Sequence, residues 1–179
     1  MHRPSPETDV AETLGALSDL VHQGKVRYIG SSSYSGSQIV EAQWVSRDRR
    51  LERFVTEQPP YSMLVRGIEE DVLPTARRHG MGTPTYSPLA GGWLSGRYRK
   101  DTAARPASAA RPAARFDMQT PANQRTLDAV ERLAVLADEA GLSLIELAVA
   151  FVVNHPGVTV NPADNSYGDF ELSTGQLRR

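Results

Sequence analysis

Cysteine is absent from the 179 residues. That excludes disulfide staples and thiolate metal ligands, and it suits a reducing compartment, so a cytoplasmic location is the expectation and no metal site is expected. No stretch approaches the roughly 20 consecutive apolar residues of a membrane span, so no membrane partner is expected. Neither charge dominates: 20 Lys and Arg against 21 Asp and Glu leave a net charge of -1. A basic footprint for nucleic acid is therefore missing, and no nucleic-acid partner is expected. The first residues show no basic-then-apolar run, so no secretory leader is expected. No solenoid period is visible.

What is present is an alternation of elements. Asp9 caps a helix with Glu12 at capping-box spacing, and Val10, Leu14, Leu17, Leu20 and Val21 form its apolar face. Gly24 ends it, and Val26 to Gly30 reads as a short buried strand. Ser35 or Ser37 starts a second helix through Ile39, Val40, Ala42, Gln43 and Trp44, and Phe54 to Gln58 reads as a second strand. A helix over Glu69 to His79 and a strand over Gly82 to Ser87 follow, although Pro84 cannot donate to a ladder. Asp101 to Pro121 is an Ala/Arg/Pro-biased loop, expected to be mobile. Ala122 to Ala140 is amphipathic through Leu127, Val130, Leu133, Leu136 and Ala137. Ser143, with Glu146 three residues on, caps a helix running to Asn154, and Val158 to Val160 begins a further strand. Residues 161–179 are polar and aperiodic. Strands alternating with helices predict a parallel sheet with helical crossovers, as either an open sheet or a barrel.

In parallel α/β folds ligands sit beyond the carboxyl ends of the strands. That rule selects Ser31, Ser32 and Ser33, then Glu57 and Gln58, then Tyr86 and Ser87. Each has an ordinary alternative. Serines after a strand cap helices, a glutamine at a strand end is solvated, and a tyrosine before Ser-Pro packs in a core.

Three ordered segments carry a resemblance. They are Gly24-Lys25-Val26-Arg27-Tyr28-Ile29-Gly30-Ser31-Ser32, Glu57-Gln58-Pro59-Pro60-Tyr61-Ser62, and Tyr86-Ser87-Pro88-Leu89-Ala90-Gly91-Gly92-Trp93-Leu94-Ser95-Gly96-Arg97-Tyr98. With Met1-His2-Arg3-Pro4 before them, the chain resembles the later half of an aldo-keto reductase. The similar subgroup contains potassium-channel β subunits and general-stress reductases. The match covers residues 1–160, with 161–179 as a divergent tail.

The resemblance implies a partial (β/α) barrel of about half the eight units and NADPH-dependent reduction of a small aldehyde or ketone. By it, Ser32 and Gln58 hold the nicotinamide carboxamide, with Ser33 a shorter group where many members carry asparagine or arginine. Tyr86 stacks on the nicotinamide ring. The turn from Ser87 through Leu89 and Gly91 to Gly92 lays its backbone against the pyrophosphate, and Arg97 pairs with a phosphate. His2 donates to the substrate carbonyl oxygen as the catalytic residue carried over.

The family's tyrosine acid and its lysine and aspartate partners match positions upstream of residue 1. Carbonyl reduction by this chain alone is therefore expected to be absent or very weak. Opening a barrel exposes sheet edges. Three outcomes are open: pairing with a second copy as a homo-oligomer, pairing with a complementary N-terminal half, or rearrangement to an open domain. The alternative function is a non-redox remnant, either a binding or assembly module or an enzyme using His2 for acid–base chemistry without hydride.

Overall fold

A computed structural model describes residues 1–100, 116–117 and 119–159. Most of the Ala/Arg/Pro-biased loop, together with Val160 and the polar tail, lies outside the described residues. The chain divides into two compact units, one built on residues 1–61, 65–86 and the segment from 153, the other on 62–64 and 87–152.

Unit 1 begins with α1 (Val10–His22), β1 (Ile29–Ser32), α2 (Gly36–Arg49) and β2 (Phe54–Gln58), and continues into α3 (Val72–Arg78). Asp9 caps α1 by accepting from the Ala11 amide at 2.8 Å. The buried line on α1 is Ala11, Leu14 and Ser18, while Val10, Leu17, Leu20 and Val21 of the expected face are only half-buried. The Ser18 hydroxyl explains the rotation. It donates to the Leu14 carbonyl at 2.7 Å and accepts from the Glu52 amide at 2.9 Å, so this polar side chain belongs inside.

Ser35 opens α2 with a reciprocal capping box involving Gln38. Gly36 is required there, because its amide donates to the Asp71 carboxylate at 2.7 Å and a β-carbon would overlap that carboxylate. α2 packs against both α1 and α3.

β1 and β2 pair in parallel, with Ile29 opposite Phe54, Gly30 opposite Thr56, Ser31 opposite Glu57 and Ser32 opposite Gln58. An irregularity lies between Ile29 and Gly30. The strand therefore starts three residues later than the sequence suggests and includes two of the serines. Val26 and Tyr28 are exposed because β2 begins at Phe54, opposite Ile29, and offers nothing earlier to pair with. A β-carbon on Gly30 would overlap the Thr56 side chain, so the two strands approach closely only because this residue is glycine.

The third extended segment pairs through isolated parallel bridges, Gly82 with Thr56 of β2 and Tyr86 with Pro60 just after it. Pro84 falls between them and has no N–H, which breaks the ladder where the sequence raised the difficulty. The Thr159 amide donates to the Thr83 carbonyl at 3.0 Å, but Val158 and Thr159 form no strand, and Val160 of the expected strand lies outside the described residues. The expected helix over Glu69 to His79 is split into a 3₁₀ turn at Gly67–Glu69 and α3.

Unit 2 contains α4 (Pro121–Glu139) and most of α5 (Leu144–Val153). Leu127, Val130, Ala134 and Ala137 line the buried face of α4, and Leu144 and Ala148 on α5 join the same cluster with Trp93, Leu94 and Tyr98. Tyr98 and Phe116 stack with centroids 4.0 Å apart. Gly141 adopts φ 69° after α4. Ser143 and Glu146 then form the expected capping box, with each backbone amide donating to the other's side chain, at 2.6 and 3.2 Å.

Candidate functional site

Unit 1 brings four of the residues singled out from the sequence together. The Ser32 hydroxyl donates to the Gln58 carbonyl at 2.7 Å, across the β1–β2 register. Ser33 follows directly with φ 62°, in the left-handed region that L-residues avoid unless neighbours hold them there. That turn carries its hydroxyl to 3.4 Å from the Tyr86 hydroxyl. Tyr86 is fixed by its backbone, which donates to the Pro59 carbonyl at 3.1 Å and accepts from the Tyr61 amide at 3.1 Å. Its ring remains half-buried, and Gln58 is exposed. The ends of β1 and the third segment therefore bring the Ser33 and Tyr86 hydroxyls together beside the Ser32–Gln58 pairing.

His2 is exposed, and its ring bonds to no described residue. The neighbouring Met1 ammonium donates to the Gly30 carbonyl at 2.6 Å, which places this end of the chain beside β1.

Beneath the cluster lies a group that sequence reading noted only by position. Glu57 is completely buried. One carboxylate oxygen accepts from the Ser31 hydroxyl at 2.5 Å, the other from the Tyr34 amide at 3.1 Å. Burial raises its carboxyl above the ordinary value, opposed by these hydrogen bonds and by the Ser33 amide. The available signal was the parallel pairing itself, which sets Glu57 opposite Ser31.

Nearby, buried Tyr61 donates to Glu69 at 2.7 Å, and Arg66 clamps the same carboxylate with two bonds of 2.8 Å. Burial, then the Glu69 contact, raises the Tyr61 hydroxyl's pKa. Arg66, then Tyr61, lowers the Glu69 carboxyl to about 2. This group ties the segment after β2 to its following 3₁₀ turn.

The cluster does not have the chemistry of an activated nucleophile. The Ser31 and Ser32 hydroxyls are already committed to a carboxylate and a carbonyl, with no histidine base on either.

The remaining sequence-named residues lie in unit 2. Ser87, Leu89 and Gly91 belong to a tight turn that ends in a 3₁₀ turn at Ala90–Gly92. Ser87, Ala90, Gly91 and Gly92 all have positive φ, at 60°, 49°, 69° and 113°. The Ala90 and Gly92 amides close this turn, donating to the Ser87 and Leu89 carbonyls at 2.9 and 2.8 Å. Arg97 is exposed.

Comparison with known proteins identifies the family and the fold type. A model of the Aldo/keto reductase family matches residues 1–161. A probable voltage-gated potassium channel β subunit of Arabidopsis thaliana is 37% identical over 167 residues, covering 88% of this chain and 48% of that protein. An uncharacterized oxidoreductase of Bacillus subtilis is 38% identical over 159 residues, covering 89% of this chain and 46% of its own length. The solved glycerol dehydrogenase of Gluconobacter oxydans superposes with a TM-score of 0.72 at 26% identity, covering 98% of this chain and 54% of that one. The chain thus spans about half the length of the curated relatives it matches, and its fold is a partial barrel of that type.

Proposed function

Because the chain belongs to the aldo/keto reductase family, we propose that it contributes the nicotinamide-binding part of an NADPH-dependent carbonyl reductase. The observation that carries this reading is the Ser32, Ser33, Gln58 and Tyr86 cluster at the strand ends of unit 1. Its donor set fits a nicotinamide. Ser32 spends its proton on the Gln58 carbonyl and keeps oxygen lone pairs for an amide N–H. The exposed Gln58 side chain offers both a donor and an acceptor to the same carboxamide. The Tyr86 ring supplies a flat face for the heterocycle, and the Ser33 hydroxyl steadies its phenol end.

The proposal extends to unit 2 from that unit's own geometry. The turn holding Ser87, Leu89 and Gly91 can direct backbone N–H groups at a diphosphate, and exposed Arg97 can pair with a phosphate. His2 supplies a hydrogen-bond donor to a carbonyl oxygen. When bound, NADPH supplies the hydride that reduces the substrate carbonyl carbon. A small aldehyde or ketone is the substrate class, and self-association and a cytoplasmic location belong to the same proposal. Among the described residues no helix is long and apolar enough to cross a membrane.

Fluorescence titration with NADPH tests this. Saturable binding is expected, weakened about tenfold by Tyr86→Ala through loss of ring stacking. Absence of saturable binding by the full chain, or equal affinity in Tyr86→Ala, overturns it and leaves the non-redox reading.

A further inference from the structure

Resting on that reading, we propose that Glu57 is a positioning residue: its buried carboxylate links β1 to the loop after it and so holds Ser33 where its hydroxyl meets Tyr86. The two oxygens have separate duties. Oε2 accepts from Ser31, which lies inside β1 directly across the register. Oε1 accepts from the Tyr34 amide, beyond the strand end. Ser32 and Ser33 lie between these anchors. With both ends held by one side chain, the intervening backbone has little freedom, and Ser33 takes φ 62°.

An unsupported serine would leave that conformation, because its β-carbon crowds the backbone there. Two further hydrogen bonds tie this segment to β2, from the Ser32 hydroxyl at 2.7 Å and from the Ser33 amide at 3.3 Å, both to the Gln58 carbonyl, but neither reaches past Ser33 to Tyr34 as the carboxylate does. A carboxylate suits the task because it accepts at both oxygens and donates at neither. Its burial has a cost, visible in the raised carboxyl pKa, and the fold retains it.

The test replaces the carboxylate with an apolar group of similar length. Glu57→Met removes both anchors while keeping volume. Amide exchange of Ser33 and Tyr34 is expected to accelerate at least about tenfold, with Ile39 and Ala42 in α2 unchanged, and NADPH affinity to fall about tenfold. Glu57→Gln restores one acceptor and is expected to recover part of both losses. That graded recovery separates positioning from mere space-filling.

If Glu57→Met does not fold, Ser31→Ala removes the Oε2 anchor alone and is expected to give a smaller change, about threefold, in the same two amides. Uniform acceleration across α2, or Glu57→Gln behaving like Glu57→Met, overturns the proposal. In the Ser31→Ala arm, an unchanged loop overturns it. A wild-type chain that binds no NADPH defeats the reductase reading instead, and the exchange data then decide the clamp by themselves.

Discussion

Both units bury an apolar core, but they differ in the polar side chains buried with it. In unit 1 the buried polar side chains include Ser18, Ser31, Ser32, Ser46 and Glu57, and each of these is hydrogen-bonded to a partner within the unit. In unit 2 the core is Leu94, Trp93, Tyr98, Leu127, Val130 and their neighbours, and Ser62 is the buried polar side chain among its described residues. Hydrophobic burial is non-directional and tolerates repacking, whereas a buried hydroxyl works only on its own acceptor. Unit 1 therefore trades tolerance for exact placement of polar groups. Unit 2 has greater latitude.

The largest expected effect lies in unit 2. Leu94 is fully buried in the aromatic cluster, so Leu94→Ala should cost about 2–5 kcal/mol in urea unfolding, while Leu94→Met should cost under about 1.5 kcal/mol. Equal losses for the two substitutions would break the picture of a forgiving core.

Unit 1 should not tolerate even one added carbon at its strand contact. Gly30→Ala must force β1 away from Thr56 and should cost about 1–3 kcal/mol, with the Ser33 amide, which donates to the Gln58 carbonyl, exchanging faster. A neutral result would mean the strands can part without loss, and the contrast would fail.

Matched helix caps sharpen the comparison by removing tertiary context from it. Ser35 in unit 1 and Ser143 in unit 2 form the same capping box. Each Ser→Ala change should cost about 1 kcal/mol, and similarly in both units, because capping is local.

The smallest expected effect is on pH dependence in unit 1. The Glu69 carboxyl is lowered from 4.5 to about 2 by Arg66 and Tyr61. Its ionised form is favoured by the fold, so its contribution is complete above pH 4.5 and is lost as pH falls through about 2. The urea midpoint of the wild type should exceed that of Glu69→Gln at pH 6, and the gap should narrow towards pH 2. A gap that widens on acidification would reverse the sign and remove the Arg66 clamp as its cause.

Much of this was legible without coordinates. Asp9, Ser35 and Ser143 as caps, Gly141 as a stop, and Phe54 to Gln58 as a strand all follow from local chemistry that acts within a few residues. Pro84 announced its own broken ladder. The start of β1 was not legible, because Val26 and Tyr28 have strand-forming side chains and only the position of Phe54 leaves them unpaired. The face of α1 was misjudged for a similar reason: no helical period reveals that Ser18 must reach the Glu52 amide. Among the site residues, Ser32, Ser33, Gln58 and Tyr86 were named as strand-end groups, but the Ser33–Tyr86 contact depends on a backbone angle that no motif states.

By itself, the sequence determined the alternation of parallel strands and helices, the family, and the residues placed after each strand, since periodicity, caps and turns are short-range physics. The tertiary structure decided which strand residues find a partner, which serine turns inward, and that a glutamate lies fully buried beneath the cluster. Those outcomes depend on groups more than 20 residues away supplying the hydrogen bonds that make burial of a polar atom affordable.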